Sequence, residues 1–138
     1  MKQKKLGNAT EKNITDIFKK NKYWSLIIPP SPAGQPFDII ARKNNFTWFV
    51  DAKHLEESKA SFSFDRIEPN QITSMNYAYL ISNIKDRMGF IIEWERDLSR
   101  HFYLSWDKYL SMSQKGSKSI PIEELEVLEE LIANEHDN

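Results

Sequence analysis

Two aspartates stand inside otherwise apolar stretches of this chain, Asp38 in "PFDIIARK" and Asp51 in "FTWFVDAKH". Asn44-Asn45 between them suits a two-residue hairpin turn, because Asn tolerates the positive φ that such turns demand. That turn sets Asp38 directly opposite Asp51 on one side of a sheet, with Cβ atoms about 4.5–5.5 Å apart. Lys53 projects from the same face as Asp51, because strand side chains alternate with period 2. Like charges placed opposite each other destabilise a strand pair. Carboxylates in apolar surroundings are tolerated if a cation lies between them or if one stays protonated. Two converging oxygen donors suit a hard divalent ion such as Mg²⁺, which keeps several waters and binds phosphate oxygens. A neighbouring lysine can orient or deprotonate an attacking water and offset charge on a phosphate. The competing reading is a register slipped by one residue, with both aspartates solvated at strand ends.

Two more polar residues sit where apolar ones are expected. Glu11 precedes Ile14 and Phe18 by three and seven positions, so it shares their helical stripe and points toward the sheet. The alternative is a capping box, since Asn8-x-x-Glu11 has that spacing. Gln71 opens a later helix, where a first-turn surface glutamine is the plain reading.

The elements that must position these residues follow from periodicity and breakers. "NATEKNITDIFKKNKYW" reads as a first helix capped at Asn8 or Thr10, "YWSLIIPP" as a strand and "PSPAGQP" as a loop. The two strands of the aspartate hairpin follow, then an irregular stretch to Asn70. A helix from Pro69-Asn70 carries Ile72, Met75, Tyr79 and Leu80 as its apolar stripe. "RMGFIIEWE" and "RHFYLSWDKYL" read as two more strands, "SMSQKGSKS" as a linker, and "PIEELEVLEELIANEHD" as a terminal helix opened by its proline. The order describes one mixed sheet with helices packed on it. The terminal helix could meet a partner subunit through Ile122, Leu125, Leu128 and Leu131. The four tryptophans read as core, and the three histidines show no metal-ligand spacing.

The chain has 138 residues, 40% of them hydrophobic and 28% charged, which suits one globular domain. It has no cysteine, so disulfides, thiolate metal sites and Cys nucleophiles are excluded. There is no apolar run of membrane-spanning length and no apolar N-terminal leader, so no membrane association and a cytoplasmic location are expected. The net charge of −1 hides an asymmetry. Residues 1–60 carry eleven Lys and Arg against six acids, whereas residues 120–138 carry seven acids and no Lys or Arg. A basic body can engage a polyanion while the average looks neutral. Lys4, Lys5, Lys59 and Arg66 are the candidate contacts to the phosphates of such a polyanion, with the outer helix face and a solvated tail as the alternative for the first two. Phe62 and Phe64 could stack on bases, although burial against the sheet is the simpler role.

Together, Glu11, Asp38, the Asp51-Ala52-Lys53 triplet and Gln71 resemble the active-site pattern of the PD-(D/E)xK nuclease superfamily. The chain is also similar to the RecU family of Holliday junction resolvases, including phage versions. The similar stretches are "GNATEKNITDIFKKNKYW", "PPSP", "VDAKH", "FSFDRIEPNQITSMNYA" and "GFIIEWERDLSRHFYLSWDKYL". The resemblance implies an α/β fold with a restriction-endonuclease-like core, a mixed β-sheet flanked by helices in the order αβββαββ, plus the C-terminal helix. The nuclease domain would span residues 1–110, with residues 111–138 as linker and acidic helix packed on it. It further implies a Mg²⁺-dependent endonuclease, with Mn²⁺ as a substitute, acting on branched DNA as a homodimer in the host cytoplasm if phage-encoded. Glu11, Asp38 and Asp51 would hold the metal, Lys53 would activate water, and Gln71 would support the site. Three departures stand out: Asp51 where the RecU family usually has glutamate, Asn70 where histidine is common, and "PSPAGQP" where that family carries a stalk-bearing segment. A superfamily nuclease for other DNA, of repair or restriction type, and a non-catalytic DNA-binding module with the same fold remain open alternatives.

Overall fold

The computed structural model describes residues 2–29 and 37–135, with side chains from residue 8 onward. The loop expected over "PSPAGQP" and the side chains of Lys4 and Lys5 lie outside the described residues. In chain order the elements are α1 (Lys2–Lys20), β1 (Trp24–Ile27), β2 (Ile39–Lys43), β3 (Phe46–Leu55), β4 (Ser61–Ser63), a 3-10 turn (Phe64–Arg66) and α2 (Pro69–Ile81). There follow β5 (Asp86–Trp94), β6 (His101–Ser105), α3 (Trp106–Gln114), β7 (Ser119–Pro121), a second 3-10 turn (Ile122–Glu124), β8 (Glu126–Val127) and α4 (Leu128–Asn134).

The main sheet runs β1-β2-β3-β5-β6-β8. Its centre is the parallel pair β3–β5, and its other pairs are antiparallel. This is the expected mixed sheet flanked by helices with a helix at the C-terminal end. The hairpin register is the predicted one: Ile39 faces Val50 and Lys43 faces Phe46 across a turn in which Asn44 takes φ 54°.

Apolar residues on the two sides of the sheet build two cores. Phe37, Leu55, Phe62, Met75, Phe90, Ile92, Leu104 and Trp106 fill the α2/α3 side. Ile14, Phe18, Ile39, Trp48, Val50, Ile91, Tyr103, Leu128 and Ile132 fill the α1/α4 side. Covering both sides explains why β5 reads as a nearly unbroken apolar run. Among the described residues, no helix is long and apolar enough to cross a membrane.

Several elements differ from the sequence reading. α1 starts at Lys2, so Asn8 lies inside the helix and the capping box with Glu11 does not form. α2 buries Met75 and half-buries Ile72 and Ala78, while Tyr79 and Leu80 are exposed, Leu80 at 81%, so its inward stripe is Ile72, Met75 and Ala78. Trp24, expected in the core, lies on the edge strand β1 and is 61% exposed. The stretch read as one strand through Leu110 turns into α3 at Trp106, where the Ser105 hydroxyl caps the helix by accepting from the Lys108 N–H at 3.1 Å. The terminal segment is not one helix. Ile120, Ile122 and Leu125 enter the α2/α3 core, but Leu128 and Ile132 enter the core on the other side. One helical stripe cannot serve both faces of a sheet, so the chain crosses as β7, a 3-10 turn and β8 before α4 forms. Ile122, Leu125 and Leu128, expected at a subunit contact, are thus buried within the chain, and Leu131 is partly buried against the α1/α4 core.

Gly89 faces Ser105 in the β5–β6 pair, and a Cβ there would lie 2.2 Å from the Leu104 carbonyl oxygen. That oxygen belongs to a neighbouring backbone and cannot swing aside. We expect Gly89→Ala to destabilise the fold by at least about 2 kcal/mol. Urea unfolding checks this, and a wild-type midpoint would mean that the strand pair relaxes freely.

Candidate active site

Extending the β2–β3 register by one step places Asp38 opposite Asp51, and their main chains lock the two carboxylates together. The Asp38 N–H donates to the Val50 carbonyl at 3.1 Å and to Asp51 Oδ1 at 3.2 Å. In return, Asp38 Oδ2 accepts from the Ala52 N–H at 2.8 Å. Each carboxylate is thus held by the opposite strand. Asp51 is 1% exposed, and its Oδ2 is buried with no hydrogen-bond partner. Burial and then the charge of Asp38 push the Asp51 carboxyl up to about 8, against weaker pulls from Lys53 and the Asp38 N–H.

Lys53 is half-buried on the same face of β3. Its ammonium donates to Gln71 Oε1 at 3.0 Å and to the Arg66 carbonyl at 3.0 Å. Burial lowers its pKa, opposed by Asp51 and Asp38. Gln71 is more than a first-turn surface residue. Its Oε1 also accepts from the Glu68 N–H at 3.0 Å, closing a capping box with Glu68 at the start of α2. The helix start therefore fixes where the ammonium sits.

Glu11 comes from α1, and burial followed by the charge of Asp38 raises it to about 7. Its carboxyl is near the pair without joining it: among the described residues, no group of three or more His, Cys, Asp or Glu side chains is placed to hold a metal ion. The donor set nevertheless fits a magnesium-type ion, which is commonly held by one or two carboxylates. The unpartnered Asp51 Oδ2 and the two raised carboxyls are what a site lacking positive charge would show. Lys59 and Arg66 line one groove with Lys53, Ser61 and Ser63, and the Arg66 guanidinium lies 5.5 Å from the Phe62 ring centre. Phe62 and Phe64 are buried, which leaves neither free for base stacking.

One cluster escapes the sequence reading. Glu93, buried in β5, accepts from Thr10 Oγ1 at 2.9 Å and from Asn13 Nδ2 at 2.9 Å, and lies 3.0 Å from His101 Nε2. His101 Nδ1 lies 2.9 Å from Glu129 Oε2. Burial favours neutral Glu93, but the bonds from His101, Asn13 and Thr10 outweigh it and hold the carboxyl at about 2. Burial likewise opposes charging His101, yet Glu129 and Glu93 lift it to about 9. The available signal is the one that exposes Asp38 and Asp51, a lone acid in the apolar run "GFIIEW".

No protein-family model matches the chain, and no curated protein sequence matches it. Among solved structures it is similar to Hjc, a Holliday junction resolvase from the archaeal hyperthermophile Archaeoglobus fulgidus. The two share 13% identity at a TM-score of 0.62, over 93% of this chain and 96% of that one. The fold is shared. At this identity the likeness speaks for the architecture of nearly the whole chain.

The titrations set a pH profile for the metal-free protein. Asp51 rises from its ordinary 3.8 to about 8, so its contribution to stability is complete below its unfolded value and is lost as pH climbs to 8. His101 rises from 6.5 to about 9 and loses its contribution across that interval. Glu93 falls from 4.5 to about 2, so its contribution is present above 4.5 and is lost as pH drops through 2. Metal-free stability should therefore peak at about pH 4–5 and decline toward pH 9. Asp51→Asn should make the decline below pH 8 shallower and leave the parts due to Glu11, raised from 4.5 to about 7, and to His101. Urea unfolding at a series of pH values reads this, and an unchanged slope in the variant would show that Asp51 ionises freely.

Proposed function

We propose that this protein is a metal-dependent endonuclease that cuts branched DNA. The observation carrying this reading is the Asp38–Asp51 interlock, in which Asp51 is buried with one carboxylate oxygen unpartnered and Lys53 is held beside it by Gln71. Supporting it is the fold shared with a protein that is itself a Holliday junction resolvase. Asp38 and Asp51 would hold Mg²⁺ or Mn²⁺, with Glu11 completing the set. When bound, the ion supplies a water of lowered pKa and a counter-charge to the phosphate.

The chain's own residues do the rest. The interlock keeps both carboxylates aimed without side-chain freedom. Gln71 and the Arg66 carbonyl hold the Lys53 ammonium where it can donate to a phosphate oxygen or orient the attacking water. Lys59 and Arg66 can contact backbone phosphates along the adjoining groove. A homodimer of RecU type belongs to the same reading, since two copies bring two sites to the two strands of a junction. Linear duplex is the runner-up substrate.

Labelled four-way junctions, linear duplex and single strands, with and without Mg²⁺, test this directly. Paired nicks on junctions are expected, lost without the metal. Lys53→Ala should cut about 10²–10⁴-fold more slowly. Asp51→Asn should abolish cutting while staying folded. Metal-independent DNA binding without cleavage would overturn the enzymatic reading, and cleavage confined to linear duplex would overturn the junction.

A further inference from the structure

The Asp38–Asp51 pair is built from two adjacent strands, but Glu11 comes from a helix that must hold its rotation about its own axis to present one side chain to the site. Ile14 and Phe18 bury α1 against the sheet, and apolar contact is non-directional. It fixes which side of the helix faces inward without fixing the angle closely. Directional bonds have to set that angle.

Glu93 supplies them. Thr10 and Asn13, three apart and so on one side of α1, bracket Glu11 in sequence. Thr10 donates to one oxygen of Glu93 and Asn13 to the other, each at 2.9 Å. The carboxylate is itself anchored, with His101 on Oε2 at 3.0 Å and His101 tied to Glu129 of α4 by its ring at 2.9 Å and its N–H at 2.8 Å. The hub also reaches β3, where His54 Nδ1 lies 3.3 Å from Thr10 Oγ1. His54 follows Lys53 directly. Buried Glu93 thus grips both elements that bring Glu11 and Lys53 to the site, and braces them on the C-terminal helix.

Resting on the nuclease reading, we propose that Glu93 is a positioning residue for the metal site. It clamps Thr10 and Asn13 so that Glu11 is aimed at the Asp38–Asp51 pair, and His101–Glu129 make α4 the far anchor of that clamp. Glu93 itself touches neither metal nor substrate. The acidic C-terminal helix thereby acquires a role, because Glu129 holds the histidine that holds the carboxylate that orients α1.

The test uses the full chain and Mn²⁺ as the probe, with binding followed by titration calorimetry and hydrogen exchange followed at the amides of residues 8–14. Thr10→Val with Asn13→Ala removes the clamp while leaving Glu93 paired with His101. This double variant should bind Mn²⁺ roughly tenfold more weakly, the scale of losses on removing residues that orient metal ligands. Its α1 amides should exchange faster. Glu93→Gln, which keeps one acceptor oxygen, should fall between it and wild type. Ile122→Val, destabilised by one methyl in the α2/α3 core and on neither α1 nor α4, should keep wild-type affinity. The proposal is overturned if the double variant binds Mn²⁺ like wild type, or if Ile122→Val loses as much. If wild type neither binds Mn²⁺ nor cuts DNA, the nuclease reading fails. The exchange data then decide the clamp alone, with faster exchange in the double variant supporting it and unchanged exchange overturning it.

Discussion

The Asp38–Asp51 interlock is held in place by the backbone but not neutralised by it. Two main-chain N–H groups orient the carboxylates. They cannot offset two negative charges in a site where burial disfavours charge on Asp51. The neighbouring cation, Lys53, has its ammonium engaged by Gln71 and the Arg66 carbonyl. Asp51, with Oδ2 unpartnered, is therefore left to take up a proton or a metal ion. A chain evolving for stability alone gains nothing from this, since an apolar pair at these positions would bury well without repulsion.

The surrounding fold buries Asp51 and keeps the interlock aligned. β3 is the strand on which both cores meet, with Val50 facing the α1/α4 side and Leu55 the α2/α3 side. It is paired on both edges, by β2 and β5. A strand so enclosed cannot slip by one residue without exposing its apolar side chains on one face and burying polar ones on the other. Register fidelity is what places Asp38 opposite Asp51, so core packing and site geometry are the same constraint seen at two scales.

What can be read from the chain itself follows from how local the governing physics is. The hairpin register is legible because Asn44-Asn45 and the alternation around it are neighbours in sequence. Gln71 enters as a site residue through a resemblance, but its bond to Lys53 depends on β3 and α2 meeting, which no periodicity reveals. The terminal segment reads as one helix because Ile122, Leu125, Leu128 and Leu131 fit a helical stripe. Their division between two cores exists only once the sheet separates those cores. The Glu93 hub stays hidden for a similar reason. Its side chains come from α1, β3, β5, β6 and α4, and only the folded sheet gathers them.

That position 51 is aspartate and not glutamate has a local explanation in the same geometry. Its Oδ1 sits 3.2 Å from the Asp38 N–H, within the reach of a side chain with one methylene. A glutamate extends further from the strand and has an extra rotatable bond. It would have to fold back to meet that N–H, losing rotamer freedom in doing so. With aspartate on both strands, the short side chains and the pleat together leave one arrangement in which each carboxylate meets the opposite backbone. The shorter residue therefore trades reach for alignment, and in the proposed site Glu11, entering from α1, would be the longer arm that closes the remaining distance.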